Sequence, residues 1–126
     1  MSEENIQYRI KRARETYLDA VYLYDLGSIN SSVNRLYYAA FYATLALLLK
    51  NKIEVKSHRG VKQKLGEEFV LKGIISKEYA KTYSILSDYR HKGDYDDLFD
   101  FDHAVVNRLI GPVKDYIDLI EQIVSQ

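Results

Sequence analysis

The first half of the chain carries apolar residues every three or four positions, which is the spacing of one face of an α-helix. The spacing predicts a first helix over residues 3–26, and Gly27 follows it where a left-handed residue commonly ends a helix. A second helix is predicted over about 29–51. Several leucines widen its apolar face, so we expect this helix to be central, with Leu45 and Leu48 in the core.

The remaining pattern predicts three further helices. Ser57 is a suitable cap for a third helix over about 58–72, and Ser76 is one for a fourth helix that ends near Gly93. Asp102 can cap the last helix, whose apolar residues continue almost to the end of the sequence.

Pro112 lies within the apolar pattern of that last helix. Because proline removes one backbone donor and crowds the preceding turn, we expect a kink near Gly111 rather than a break. No segment shows the sustained alternation of a strand. The sequence therefore predicts an all-α fold: an up-and-down bundle of four long helices and a shorter one, in a single domain over residues 1–126.

Composition narrows the classes of function. The chain has 126 residues, a formal net charge of zero and no cysteine. Because the net charge is zero, a broad positively charged surface for nucleic acid is disfavoured. Because the chain has no cysteine, disulfides and thiolate chemistry are excluded. The longest apolar run, residues 39–49, is too short to span a bilayer, and the charged N-terminus lacks a signal-peptide core. We expect a cytoplasmic protein without a membrane partner.

The densest chemistry lies in "LSDYRHKGDYDDLFDF", residues 86–101. Its side chains suit a metal site, an anion site or a solvated and well-capped helix end. The candidate metal ligands here and just beyond are His91, His103, Asp94, Asp96, Asp97, Asp100 and Asp102. The run lacks the glycine and glutamate of a calcium loop, and no two histidines stand four apart. We therefore expect no bound metal and no cofactor.

Two other features suit an anion. His58 and Arg59 stand at the predicted start of the third helix, where open backbone N–H groups attract anions, although a solvated cap explains them as well. Arg90 falls on or beside the apolar stripe of the fourth helix, so its charge needs a partner. Asp94, one turn later, can supply it. Arg90 is thus either a structural ion pair or part of an anion site.

Three segments in order, "NSSVNRLYYAAFYATLALLL", "KSHRGVKQKLGEEFV" and "LSDYRHKGDYDDLFDF", resemble the HEPN superfamily over nearly the whole chain. More narrowly, they resemble an uncharacterised branch with Arg-x-x-x-Asp-Tyr at the fourth helix. The resemblance implies a bundle of four or five helices that dimerises, and metal-independent ribonuclease activity in many members. It also implies a small nucleotidyltransferase as partner in a toxin–antitoxin pair, or an inactive binding module.

The ribonuclease motif of the superfamily is Arg, four to six residues, then His. Arg90 matches the Arg, but the permitted positions of the His hold Tyr95, Asp96 and Asp97. None of the three histidines of the chain has an Arg at the required distance before it. The motif is therefore absent in its standard form.

Cleavage of RNA has two requirements: the added negative charge on phosphorus must be stabilised, and a proton must be transferred. Arg90 can meet the first requirement. Tyr95 is a poor base, because tyrosine holds its proton far above neutral pH. His91 is a better type of residue but projects about 100° around the helix from Arg90. The candidates for catalysis are Arg90, His91 and Tyr95. The candidates for ligand binding are Arg90, Asp94, Tyr95, His58 and Arg59.

These observations leave three hypotheses. The first is a helical module without enzyme activity, the partner of a small nucleotidyltransferase, that binds nucleotide or RNA phosphate near Arg90. The second is a ribonuclease in which Tyr95 or His91 replaces the missing His, and the third is a structural bundle without ligand.

The chain has twelve tyrosines, more than one small core can bury with every hydroxyl hydrogen-bonded. The family resemblance, together with this tyrosine load, predicts a homodimer with the Arg90–Tyr95 region near its axis.

Overall fold

All the helices predicted from the sequence are present in the structure, a computed structural model that describes residues 2–95 and 99–126, without the side chain of Ser2. They are α1 (Ser2–Asp25), α2 (Ile29–Lys50), α3 (His58–Leu65), α4 (Lys77–Tyr95) and α5 (His103–Val124). A short π-helix, Gly66–Val70, extends α3. The described ranges contain no strand, and the predicted all-α bundle is confirmed.

α2 is the central helix and contacts each of the other four. Leu48 is 1% exposed and lies in the core, as predicted. Leu45 packs on the core but is only half-buried. It shares with Leu49 a side of α2 that lines a recess open to solvent. The prediction of a core position is therefore too strong for Leu45.

Polar caps fix where α3 and α5 begin. The hydroxyl of Ser57 accepts a hydrogen bond from the Gly60 N–H at 2.9 Å, and the Asp102 carboxylate accepts one from the Ala104 N–H at 3.0 Å. Each bond satisfies a backbone donor that the first turn of a helix leaves open. Both caps are as predicted, and the first one places His58 at the start of α3.

Glycine has two different roles near the helix ends. Gly27 and Gly73 adopt φ angles of 80° and 77°, which glycine takes without strain. Gly27 follows α1 as predicted, and Gly73 follows the π-helix. α4 ends at Tyr95, two residues after Gly93 and close to the predicted end. A Cβ on Gly93 would come within 3.3 Å of the Phe101 ring. The glycine therefore allows the segment before α5 to pack closely on α4.

Asn30, at the start of α2, ties that same segment to the bundle. The N–H of Phe101 donates to the side-chain oxygen of Asn30 at 2.8 Å, and the amide nitrogen of Asn30 donates to the Asp100 carboxylate at 3.0 Å. Phe101 and Asn30 line one small cleft together with Arg90. These bonds therefore hold the segment beside the end of α4 that carries Arg90.

α5 continues without a break from His103 to Val124 although it contains Pro112, as its apolar pattern predicts. A bend near Gly111 stays a prediction. α5 packs against α1, α2 and α4. Within the ranges that are described, no helix combines the length and the apolar character needed to cross a membrane.

Candidate functional site

Arg90 projects from α4 towards α2. Its side chain is 18% exposed, and its guanidinium carbon lies 5.3 Å from the centre of the Tyr37 ring and 6.0 Å from that of Tyr38. A guanidinium at these distances from an aromatic face is attracted by the ring. The helical spacing correctly placed Arg90 at the edge of the buried stripe of α4.

Asp94 provides the carboxylate that the spacing predicts for Arg90. Its Oδ2 lies 3.4 Å from Nε of Arg90. That Nε is buried and has no partner in hydrogen-bonding geometry within the described ranges, so one donor of the ion pair is unused. Burial acts against the charge, but Tyr38, Tyr37 and Asp94 outweigh it, and the pKa of Arg90 is raised. The guanidinium is therefore charged throughout the physiological pH range.

His58 is the first residue of α3. Its ring stacks on Phe41 with 4.4 Å between the ring centres, and its Nδ1 lies 2.7 Å from the hydroxyl of Tyr37. Burial lowers the pKa of His58, and the positive charge of Arg90 lowers it further, against a smaller opposing effect of Asp94. The imidazole is therefore mostly neutral near pH 7.

His58 and Arg90 meet at the same two tyrosine rings. The centre of the His58 ring lies 5.7 Å from that of Tyr37 and 5.8 Å from that of Tyr38. These are the two rings that the Arg90 guanidinium also approaches. A charged donor and a neutral imidazole thus share one surface. We call this group the Arg90–His58 site; its members are Arg90, His58, Tyr37, Tyr38 and Asp94.

The sequence pointed to the pair of Arg90 and Asp94 and, as a separate feature, to His58, whereas Tyr37 and Tyr38 were missed. The two tyrosines stand together in "NRLYYAAFYA", where the helical period assigns Tyr37 to the core. The period cannot show that α3 and α4 both pack onto this pair, because that depends on tertiary structure. The sequence signal that could have indicated these two site residues was the pair of adjacent tyrosines in a run of small and aliphatic residues.

Arg59 lies outside the Arg90–His58 site. It is exposed and lines a shallow groove with Lys62 and Gln63. His58, the preceding residue, faces α2 instead. The structure therefore separates the two residues that the sequence offered as one anion-binding pair, and only His58 joins Arg90.

His91 and Tyr95 form an exposed pair on α4. Their ring centres lie 4.7 Å apart, and Tyr95 is 66% exposed. Within the described ranges, their aromatic contact is with each other and not with the rings near Arg90. The two residues considered as substitutes for the missing His are therefore next to the site along the chain but not part of its packed surface.

Of the seven candidate metal ligands, the five that lie in the described ranges are not gathered into one site. His103 stacks on Tyr24 with 4.4 Å between the ring centres, and Asp102 is occupied as the cap of α5. Asp96 and Asp97 lie outside the described residues. Among the residues that are described, no three His, Asp or Glu side chains come close enough together to hold a metal ion.

The sequence matches the HEPN domain over residues 6–123. The chain belongs to the HEPN domain family. A UPF0332 protein of Thermotoga maritima is 37% identical over 98% of this chain and 93% of its own length. Two proteins of Methanocaldococcus jannaschii, each named "Putative toxin", are 35% and 29% identical over 73% and 75% of this chain and 69% and 64% of their own lengths. The family resemblance of the three sequence segments is confirmed.

In this HEPN domain, the Arg90–His58 site offers two kinds of chemistry. A charged guanidinium binds phosphate oxygens, and a neutral imidazole can give or take a proton according to which ring nitrogen carries it. A cleft beside Arg90, also lined by Asp94 and Asn34, has a volume of about 50 Å³. This volume takes a few water-sized groups but not a nucleoside. His58, Tyr37 and Tyr38 do not line this cleft, so it is separate from the aromatic contacts of the site.

Proposed function

We propose that the Arg90–His58 site binds a phosphate group of a nucleotide or of RNA. The observation that carries this proposal is the convergence of Arg90 and His58 on the rings of Tyr37 and Tyr38. Arg90 attracts the phosphate by its fixed charge, and His58 adds a hydrogen-bond donor. A purely structural role would instead rest on the Arg90–Asp94 ion pair and on the packing of His58 against Phe41 and Tyr37.

The charges of the site support this proposal. Arg90 has one carboxylate, Asp94, at 3.4 Å, and His58 is neutral because its pKa is lowered. A phosphate would become a second counter-ion for Arg90 and would raise the pKa of His58 back towards its ordinary range. Binding of phosphate is therefore expected to be coupled to uptake of a proton.

Calorimetric titration with uridine 5′-monophosphate (UMP) tests the proposal. The wild type is expected to bind, and Arg90→Ala to lose at least about tenfold in affinity, because a hydrogen bond to a charged group contributes roughly 1.5–3 kcal/mol. Arg108→Ala removes an exposed arginine of α5 and serves as the matched control. Equal affinity of folded Arg90→Ala and wild type would show that Arg90 is a structural ion pair only.

We also propose that the chain is one member of a toxin–antitoxin-like pair with a small nucleotidyltransferase, and that it forms a homodimer. Membership of the HEPN family and the names of the two archaeal relatives support the pairing. Co-purification with a nucleotidyltransferase encoded beside this chain tests the pairing, and light scattering tests the dimer. A chain that retains no such protein and has the mass of a monomer would contradict both parts.

One observation favours a second function, metal-independent cleavage of RNA. A neutral His58 and Arg90 lie against the same tyrosine ring, so His58 is a candidate for the proton-transfer group that is missing along the sequence. In such a reaction the RNA 2′-oxygen attacks the adjacent phosphorus and its proton passes to a base. The 5′-oxygen leaves with a proton from an acid, which yields a 2′,3′-cyclic phosphate and a 5′-hydroxyl. Arg90 would stabilise the added negative charge on phosphorus.

Incubation of end-labelled RNA with the protein and EDTA tests this second function. If His58 transfers the proton, His58→Gln and Arg90→Ala should each lower the cleavage rate by about 10²–10⁴-fold. His91→Gln and Tyr95→Phe should cleave as the wild type does. Loss of cleavage in Tyr95→Phe would assign the role to that tyrosine instead, and a wild type that does not cleave would leave phosphate binding as the function.

A further inference from the structure

α2 presents one long half-buried face that begins at the Arg90–His58 site. Its residues recur with the helical period, and they are Arg35, Tyr38, Tyr42, Leu45 and Leu49. The half nearest the site is aromatic and cationic. The far half is aliphatic and lines the recess at the other end of the helix.

Arginine and tyrosine side chains are paired along the half of this face nearest the site. The guanidinium carbon of Arg35 lies 5.0 Å from the centre of the Tyr38 ring, and that of Arg12, from α1, lies 5.4 Å from the centre of the Tyr42 ring. The two ring centres are 6.0 Å apart. We call Arg12, Arg35, Tyr38 and Tyr42 the α2 strip. Because Tyr38 also contacts Arg90, the strip starts within the site and extends away from it.

The strip and Arg90 beside it together carry more positive than negative charge, although the chain has a net charge of zero. In the described ranges, Glu15 lies 3.7 Å from Arg12 and Asp94 lies 3.4 Å from Arg90, whereas Arg35 hydrogen-bonds to a neutral amide. Three arginines thus have two carboxylates beside them. Proteins bind single-stranded nucleic acid with this combination, since arginines meet the phosphates and unpaired bases stack on aromatic rings.

We propose that the α2 strip is a stacking subsite for unpaired nucleotides, so that the ligand of this surface is single-stranded nucleic acid rather than a free mononucleotide. The proposal rests on the proposed function, because the Arg90–His58 site would hold one phosphate of the same strand. A phosphate held between Arg90 and His58 would lie beside the Tyr38 ring, which both side chains approach, so the adjoining base can reach the strip. Tyr38 and Tyr42 are the neighbouring rings on which that base and the next one can stack.

A second copy of the chain is the competing occupant of this face. In a two-fold interface the same patch meets itself, which would set Arg12, Arg35 and Arg90 close to the same three residues of the other copy. Like charges across an interface are unfavourable, and the two carboxylates nearby are already within reach of arginines of their own chain. A polyanion meets no such conflict, so charge complementarity favours nucleic acid.

Fluorescence anisotropy with a labelled 2′-O-methyl-uridine octamer tests the proposal, because this oligomer lacks the hydroxyl that cleavage requires. Unlabelled UMP, dimer, tetramer and octamer compete with it. The wild type should bind the octamer more tightly than UMP, and more tightly than a duplex of equal length. Tyr42→Ala and Arg12→Ala should each lower the affinity for the octamer about fivefold or more and leave that for UMP unchanged, whereas Tyr42→Phe should bind as the wild type does.

Matched controls are Tyr22→Ala, which removes a ring that is 66% exposed on α1, and Arg108→Ala; neither should change either affinity. Arg12 and Tyr42 lie on different helices, so misfolding of one variant leaves the other as a test. If Arg90→Ala weakens UMP binding while Tyr42→Ala and Arg12→Ala bind the octamer normally, the phosphate site stands and the strip is refuted. If the wild type binds neither ligand, both fail. If Tyr42→Ala halves the mass in solution, the face is an interface between copies and the proposal is wrong.

Discussion

The hydroxyl of Tyr37 lies 2.7 Å from Nδ1 of His58 and joins the buried side of α2 to the first residue of α3. Tyr37 is 1% exposed, so its ring cannot turn away without opening the core, and the bond holds the imidazole in one orientation. The same ring lies beside Arg90. One tyrosine therefore positions both side chains on which the proposed phosphate site depends.

Replacement of Tyr37 by phenylalanine removes this hydrogen bond and keeps the ring. We expect Tyr37→Phe to lower the free energy of unfolding by about 1 kcal/mol, the usual net contribution of one hydrogen bond. It should also weaken the binding of UMP, because His58 is no longer held. Urea unfolding and calorimetry measure the two effects. Tyr24→Phe, at a ring that stacks on His103, is the control, and unchanged UMP affinity in Tyr37→Phe would contradict the positioning role.

The lowered pKa of His58 predicts how stability depends on pH. Burial and the charge of Arg90 keep His58 neutral in the folded protein to a lower pH than in the unfolded chain. As the pH falls below about 6.5, the unfolded chain takes up a proton that the folded chain does not, so the free energy of unfolding decreases. The decrease should continue down to the lowered pKa. Urea unfolding of the wild type and His58→Gln at a series of pH values measures it, and parallel profiles would refute it.

Phosphate binding should follow the opposite trend with pH. A 2′-O-methyl uridine dinucleotide is a suitable ligand, because its single phosphodiester keeps its charge across this range. The bound phosphate favours protonated His58, so the affinity should rise as the pH falls from about 8 to 6, by at most about tenfold per pH unit. The His58→Gln protein should show a flat profile in calorimetry. A rise of equal size in that variant would assign the effect to another group.

The helices were predictable because their signals are local. The three- and four-residue period gave their number and order, and Ser57 and Asp102 act as the caps expected from their residue types. The ion pair between Arg90 and Asp94 was predictable for the same reason, since residues four apart face each other on a helix. Gly93 lies close to the end of α4 as predicted, but its close approach to the Phe101 ring depends on a later segment and was not predictable.

The composition of the site was not predictable, because it depends on how separate helices pack. His58 and Arg90 come to the same rings only because α3 and α4 both lie against α2 at Tyr37 and Tyr38. No spacing within the chain encodes that contact. The sequence motif points to residues that follow Arg90 along α4, and one of them, Tyr95, is exposed. The histidine that shares the tyrosine rings with Arg90 is His58, which belongs to α3.

Burial predicts different costs for two leucines of α2. Leu48 is 1% exposed, so Leu48→Ala should lower the free energy of unfolding by about 2–5 kcal/mol. Leu45 is half-buried beside a recess that is open to solvent, so Leu45→Ala should cost less, because water can fill the space it leaves. Chemical unfolding of both variants measures the difference. Equal costs, or a Leu48→Ala protein as stable as the parent, would contradict the described packing of α2.

The most direct test of the Arg90–His58 site is a double-mutant cycle in the affinity for the 2′-O-methyl uridine dinucleotide, measured by calorimetry. Arg90→Ala and His58→Gln should each weaken binding. If both side chains hold one phosphate, the double variant should lose less binding free energy than the sum of the two single losses, with a coupling of about 0.5–3 kcal/mol. Single variants that bind as the wild type does, or losses that add without coupling, would show that Arg90 and His58 do not form one site.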